Sequence, residues 1–227
     1  MNQDKIWAHF QNEGMDAFGQ VQPRYTYLIN RIELDASSTS TILNIGVGNG
    51  ALEMALLGKG RRVSSIDPNE EAIKRLAELG VDAQAGYVQK MPFESGVFDY
   101  VVASEVLEHL NDVDLKGGMA EISRVLKPGG VFIGTVPFNE RLRDNAVVCP
   151  HCGTQFHRWG HQQSFDKERL ARLLEQPFVL YHMSCRTFVP WSIKPMRILK
   201  SGLKWALARL GETIADPHLY FECKKKN

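Results

Sequence analysis

Thr41-Ile42-Leu43-Asn44-Ile45-Gly46-Val47-Gly48-Asn49-Gly50 is the stretch that decides the architecture of this chain. A short run of buried-strand character enters three glycines at alternate positions, and Ala51-Leu52-Glu53-Met54-Ala55-Leu56-Leu57 then reads as helix. The glycines permit a tight turn and let a ligand approach the backbone closely. Asp67 follows Gly46 by 21 residues, at the end of a second strand over residues 62–66. A carboxylate there can accept hydrogen bonds from both hydroxyls of a ribose. Turn and acid together predict a nucleoside site; the competing role for Asp67 is a helix N-cap.

Outward from this turn, strand and helix alternate. Residues 69–79 have a helical apolar face, with Gly80 at the C-terminal cap. Residues 81–85 and 98–103 read as strands. Residues 104–110 start a helix that resumes over 119–126, and Lys127-Pro128-Gly129-Gly130 stops it. Residues 131–136 form a fifth strand. A helix over 166–175, a strand over 178–188, a helix over 195–210 and a strand over 218–223 complete the pattern. Such alternation implies parallel pairing through right-handed crossovers, with ligands outside the C-terminal ends of the strands. The expected fold is α/β: a Rossmann-like, doubly wound, mostly parallel seven-stranded sheet with helices on both faces. The chain divides into a helical N-terminal cap (1–40), a cofactor-binding core (41–138), a Cys/His-rich insertion (139–164) and a C-terminal segment completing the sheet (165–227).

The glycine spacing narrows the ligand. Dinucleotide sites use Gly-x-Gly-x-x-Gly around a pyrophosphate, whereas this turn is Gly-x-Gly-x-Gly, with Ala51 where that third glycine would fall. The turn, Ser65-Ile66-Asp67-Pro68, Lys90-Met91-Pro92-Phe93, Phe98-Asp99-Tyr100-Val101-Val102-Ala103-Ser104-Glu105-Val106-Leu107-Glu108-His109-Leu110 and Leu126-Lys127-Pro128-Gly129-Gly130 resemble, in order and spacing, the motifs of class I S-adenosylmethionine-dependent methyltransferases. The small-molecule type, methyltransferase-11-like, is the most similar, and the resemblance covers about residues 40 to 138.

The resemblance implies S-adenosylmethionine as cofactor. Gly46, Gly48 and Gly50, with Asn49 in the same turn, would line its methionine and ribose, and Asp67 would take the ribose hydroxyls. Pro68 would pack on the adenine and Val88 offer it a backbone donor. Ser104, with Glu105 beside it, would lie near the sulfonium. Arg24 either pairs with the cofactor carboxylate or is a plain surface arginine. The chain departs from the family at Asn44 and Tyr87, where acids are usual. Asn44 can accept a hydrogen bond without carrying charge, and Tyr87 can stack on or shield the adenine.

Methyl transfer requires alignment of an acceptor and, for an alcohol or ammonium, removal of its proton. His109 is the candidate base, since its ordinary pKa suits that task; the alternative is a ring packed against the sheet. Glu105 and Glu108, three apart on one helix, cannot both face the pocket, which makes one a surface residue.

Cys149-Pro150-His151-Cys152 is followed by His157 and His161, a Cys-x2-Cys-x4-His-x3-His spacing. Cys149, Cys152, His157 and His161 could close a structural tetrahedral zinc site and order the insertion; a reducible thiol pair is the alternative. Cys185 and Cys223 read as core residues. Arg141, Arg143, Arg158, Trp159 and His161 would wall the acceptor pocket, where arginines suit an anionic substrate.

Composition limits the partners. The 227 residues are 44% hydrophobic and 23% charged, and the net charge of +1 creates no field favouring nucleic acid or membrane. Lys224-Lys225-Lys226 reads as a solvated tail. There is neither a signal-like apolar segment nor a membrane-length one, so the expected location is cytoplasmic. The expected activity is methylation of a small molecule or metabolic or glycan intermediate, with oxygen the favoured acceptor. An RNA methyltransferase and a non-catalytic S-adenosylmethionine-binding protein are the rivals.

Overall fold

The computed structural model describes residues 4–13, 21–188 and 217–226. Two helices, α1 (Asp4–Glu13) and α2 (Gln22–Asp35), precede β1 (Thr41–Ile45). Then come α3 (Ala51–Leu57), β2 (Arg62–Asp67), α4 (Glu70–Glu78), β3 (Asp82–Ala85), β4 (Phe98–Ser104), α5 (Asp112–Val125) and β5 (Leu126–Pro137). A small hairpin of β6 (Ala146–Val148) and β7 (Gln155–His157) leads to α6 (Lys167–Leu174), β8 (Phe178–Arg186) and β9 (His218–Lys225). The helix expected over 195–210 lies outside the described residues.

Seven strands form one sheet in the order β3-β2-β1-β4-β5-β9-β8. The first five are parallel; β9 is antiparallel to both β5 and β8. This is the expected doubly wound, mostly parallel architecture. Alternation along each strand sends neighbours to opposite faces. Ile42, Val102, Ile133 and Tyr220 join the core under α2, α3 and α4, while Leu43, Val101, Phe132 and Phe221 join the core under α5 and α6. Each such fully buried side chain contributes about 1.5–3 kcal/mol. The parallel order reverses at β1, between β2 and β4, so the glycine turn after β1 opens at the switch point where such sheets bind ligands.

Four local expectations change. Ser104 ends β4 and does not start a helix. Glu105, at φ 58°, is left-handed and breaks the chain direction, leaving only a 3-10 turn over Leu107–His109 before α5 begins at its Asn111 cap. The Lys127-Pro128-Gly129-Gly130 stop ends α5 at Val125 but lies within β5, where pairing jumps from Phe98↔Leu126 to Tyr100↔Val131. Lys224 and Lys225 belong to β9, and the Lys225 ammonium donates to the Leu126 carbonyl at 2.8 Å, so the basic run is not a free tail. Cys223 is core, but Cys185 is exposed on the sheet-edge strand β8.

Candidate active site

The C-terminal ends of β1, β2 and β4 open into a cleft of about 990 Å³, counting the space at its open mouth. Arg24, Gly46, Gly48, Asp67, Pro68, Tyr87, Val88, Ser104 and Glu105 all line it, as does His109. Asn49 is exposed at the turn and bonds its own helix, its side chain accepting the Ala51 N–H at 3.2 Å. Gly50, at φ 77°, makes the buried left-handed entry to α3. Gly46, at φ 80°, faces Val106, and a Cβ there would fall 2.7 Å from the valine Cγ2. The turn is therefore a cradle that only glycine leaves open.

Asp67, 4% exposed, is fixed from below. Its Oδ1 accepts the Asn69 N–H at 2.8 Å and its Oδ2 the Val47 N–H at 3.0 Å. Burial pushes its pKa up, against these bonds. The N-cap of α4 is Asn69, whose side chain accepts from Glu71 and Ala72, so Asp67 is not the capping residue. The residues present fit a nucleoside with a cationic sulfur: a buried, oriented carboxylate at Asp67, a glycine cradle, apolar Val88 and a polar wall at Ser104.

That wall is built by the end of β4. Arg24 on α2 donates to the Ser104 hydroxyl at 2.9 Å, and Ser104 meets Thr135 of β5 at 3.1 Å. Glu105 sits 3.2 Å from His218 of β9 through Oε2, while its buried Oε1 has no hydrogen-bond partner. Burial opposes ionisation of Glu105, but His218 and Arg24 outweigh it and hold the carboxyl low. Glu108 goes the other way: burial, then the charge of Glu105, raise it far above the ordinary carboxylate range. Glu108 is fully buried, which corrects the expectation that one of the two acids lies on the surface.

His109 stands at the cleft wall with its Nδ1 accepting the Trp7 Nε1–H from α1 at 3.1 Å. Burial, then nearby His161, push its pKa down to about 3. A ring held neutral in the fold resists protonation that the unfolded chain accepts below the ordinary 6.5. Stability from this ring is therefore complete above pH 6.5 and lost as pH falls. We expect unfolding free energy to drop below that pH by up to about 1.4 kcal/mol per unit, before carboxylates titrate. Urea melts of His109→Gln should show a shallower slope; an unchanged slope would mean that the ring is not held neutral.

α1 covers the cleft. Besides Trp7, Gln11 donates to Asp67 Oδ2 at 3.0 Å, and the Tyr87 hydroxyl donates to Asp4 at 2.9 Å. Tyr87 is thereby half exposed at the rim, engaged by its hydroxyl.

The insertion does not assemble the four-ligand zinc set. Cys149 and Cys152 sit at the tip of the β6–β7 hairpin, whereas His157 pairs with Ala146 at its base. Counting residues made the spacing look compact; the extended strand carries the histidine away. Among the described residues, the side-chain groups close enough to share an ion are Glu108–His109–His161 and Glu140–His157–His161, neither containing a cysteine. His157 Nδ1 accepts the N–H groups of Trp159 (3.3 Å) and His161 (3.1 Å), so its proton lies on Nε2, 3.2 Å from Glu140. That nitrogen faces the Glu140 carboxylate and not the cysteines, and it makes no hydrogen bond. His161 bonds the other Glu140 oxygen through Nδ1 and stacks on His157 at 4.5 Å. Order in the insertion comes from these contacts and from Gln162 and Gln163, whose N–H groups donate to the Glu108 carbonyl at 2.7 and 3.0 Å. Arg141, Arg143 and Arg158 are exposed and line no part of the cleft, and Trp159 packs on Phe10 instead.

Sequence reading missed Trp7, Gln11, Glu53, Glu140 and His218. Glu53 alone left a local sign, an acid in the first helical turn after the glycines. The others reach the site only through tertiary contacts.

Residues 43–134 match the family model of a methyltransferase domain. A sterol 4-C-methyltransferase of Caenorhabditis elegans is 30% identical over 141 residues, 59% of this chain and 42% of that protein. A ubiquinone biosynthesis O-methyltransferase of Methylocella silvestris is 33% identical over 151 residues, 64% and 53% of the two chains. The chain thus spans about half the length of the curated relatives it matches. Among solved structures, a methyltransferase from Methanosarcina mazei aligns at TM-score 0.64 and 20% identity, covering 86% of this chain and 96% of that one. A Burkholderia thailandensis 1,6-didemethyltoxoflavin-N1-methyltransferase with bound S-adenosylhomocysteine aligns at 0.66 and 19% identity, covering 99% and 87%. Residues 43–134 are thus similar to a methyltransferase domain, and the chain shares its fold with solved methyltransferases.

Proposed function

We propose that this protein transfers the methyl group of S-adenosylmethionine to a small molecule, with an oxygen as the receiving atom. The observation that carries the reading is the convergence of Arg24, Gly46, Gly48, Asp67, Ser104 and Glu105 on one cleft at the switch point of the sheet. When bound, S-adenosylmethionine supplies a methyl group on a positive sulfur, open to in-line displacement. Asp67 holds the ribose, Gly46 and Gly48 admit the methionine part, and Tyr87 and Val88 flank the base.

The oxygen assignment rests on Glu105. Its ionised carboxyl group lines the cleft beside Ser104 and can accept a hydrogen bond from an acceptor hydroxyl, turning its lone pair toward the methyl group. His109, the base expected from the sequence, here serves as a neutral wall, because its Nδ1 lone pair is engaged by Trp7. The cleft carries Asp4, Asp67 and Glu105 against Arg24, which does not favour an anionic acceptor. A Cys2His2 zinc site has no part in this reading. Among the described residues no helix is long and apolar enough to cross a membrane, and the four cysteines are free thiols, as a cytoplasmic setting requires.

The test is calorimetric titration with S-adenosylhomocysteine, followed by product release measured with hydroxylated acceptors. Binding at micromolar strength and turnover that falls at least about tenfold in Glu105→Gln are the expected results. No binding would remove the cofactor reading. Binding with no turnover on any acceptor would leave a cofactor-binding protein without catalysis.

A further inference from the structure

We infer that Glu53 replaces the acid missing at Asn44, and that the two side chains form a neutral acid–amide pair under the glycine turn. This positions the turn for the cofactor, and it rests on the cofactor reading above.

Asn44, next to last in β1, is 2% exposed, and Glu53, in the first turn of α3, is fully buried. The Asn44 amide donates to Glu53 Oε1 at 2.7 Å and to the carbonyl of Gly46 at 3.2 Å. Ser65 on β2 donates to the same Oε1 at 2.9 Å. One carboxyl oxygen thus ties α3 to β1 and β2, and the Asn44 amide carries the tie on to the first glycine of the cradle. The other, Oε2, is buried without a partner, and so is Asn44 Oδ1.

Two orphan acceptors on one hydrogen-bonded pair are expensive if both are bare oxygens. A single proton on Oε2 supplies the missing donor: Nδ2–H donates to Oε1, and Oε2–H donates to Oδ1. No donor from elsewhere is then needed, and no buried charge is left unpaired. Burial moves the Glu53 pKa upward, and the nearby Asp67 carboxylate adds to it, both favouring the protonated form. Tyr25 of α2 is a further ionisable neighbour, itself pushed up to about 12 by burial and therefore neutral. The departure from the family pattern at position 44 is, on this reading, an exchange of acid and amide across the same contact.

The full chain can be tested with S-adenosylhomocysteine alone, without knowledge of the acceptor. Glu53→Gln can still donate to Asn44 and accept from it, so its affinity should stay within about threefold of the parent, whereas Glu53→Ala should lose about tenfold or more. Asn44→Asp places two acids in one buried contact and should weaken binding. Combining Asn44→Asp with Glu53→Gln restores one acid and one amide, and should recover most of that loss. Infrared difference spectra between the parent and Glu53→Gln should show a protonated carboxyl C=O stretch lost in the variant, a signature independent of cofactor binding and of whether Glu53→Ala folds. Equal losses in Glu53→Gln and Glu53→Ala would show that charge, not pairing, matters, and would overturn the inference. So would no loss in Glu53→Ala, no recovery in the double variant, or no carboxyl band. If the parent itself binds no S-adenosylhomocysteine, the cofactor reading fails, while the infrared band still judges the pair.

Discussion

Replacing Asp67 by alanine is expected to lower affinity for S-adenosylhomocysteine at least about a hundredfold. Two ribose hydroxyls donating to one carboxylate are charge-assisted bonds worth about 1.5–3 kcal/mol each, and about 3 kcal/mol is two decades in affinity. The carboxylate is oriented before any ligand arrives, by the N–H groups of Asn69 and Val47, so little of that energy is lost to ordering it. Those same bonds mean that the variant also loosens the turn, so melting temperature should be read beside affinity. Asp67→Asn keeps the shape with one acceptor and should fall between the two. An Asp67→Ala protein that folds and binds as tightly as the parent would remove the ribose assignment.

The largest effect on stability is expected from Gly134→Ala, at a residue that lines no part of the cleft. Gly134 lies mid-way along β5, where an added Cβ would sit 2.2 Å from the Ala103 carbonyl oxygen and 2.7 Å from the Phe221 ring. Ala103 is paired with Gly134 in the sheet, so that oxygen cannot retreat without parting β4 from β5. Phe221 belongs to β9, on the other side, and is packed against Phe132 at 5.0 Å. Overpacking of this kind should cost about 3 kcal/mol or more. For a chain of this size that corresponds to a fall of roughly 6–12 °C in Tm. A shift under about 2 °C would mean that the strands have enough slack at this position to admit a methyl group.

Where local pattern determines structure, the sequence was readable. The β1 turn, Asp67 at the end of β2 and the alternating strands of the central sheet each rest on neighbours within a few residues, and each stands where its pattern put it. The failures share a different cause. Glu105 has the residue types of a helix start around it, yet its left-handed backbone is stabilised by His218 and Thr135, partners from β9 and β5. The Cys/His spacing has the right count for zinc, but a hairpin separates ligands that a compact loop would gather. His109 carries a suitable side chain, and its environment is set by Trp7, more than a hundred residues earlier. Chemistry could be listed from the sequence; protonation state and direction depend on contacts that sequence spacing does not contain.

The position of β9 has a consequence for biosynthesis. From Val131 to Pro137 the outer side of β5 pairs with a strand about ninety residues later, Val131 opposite Lys224 and Pro137 opposite His218. While the chain emerges from the ribosome, β1 to β5 can assemble in order, yet β5 remains an unpaired edge until residue 225 has been made. Through that interval Phe132 lacks Phe221 above it, and a flat apolar strand faces the crowded cell. Nascent-chain protection by a chaperone, or a slow last phase in refolding, is what so distant a pairing demands.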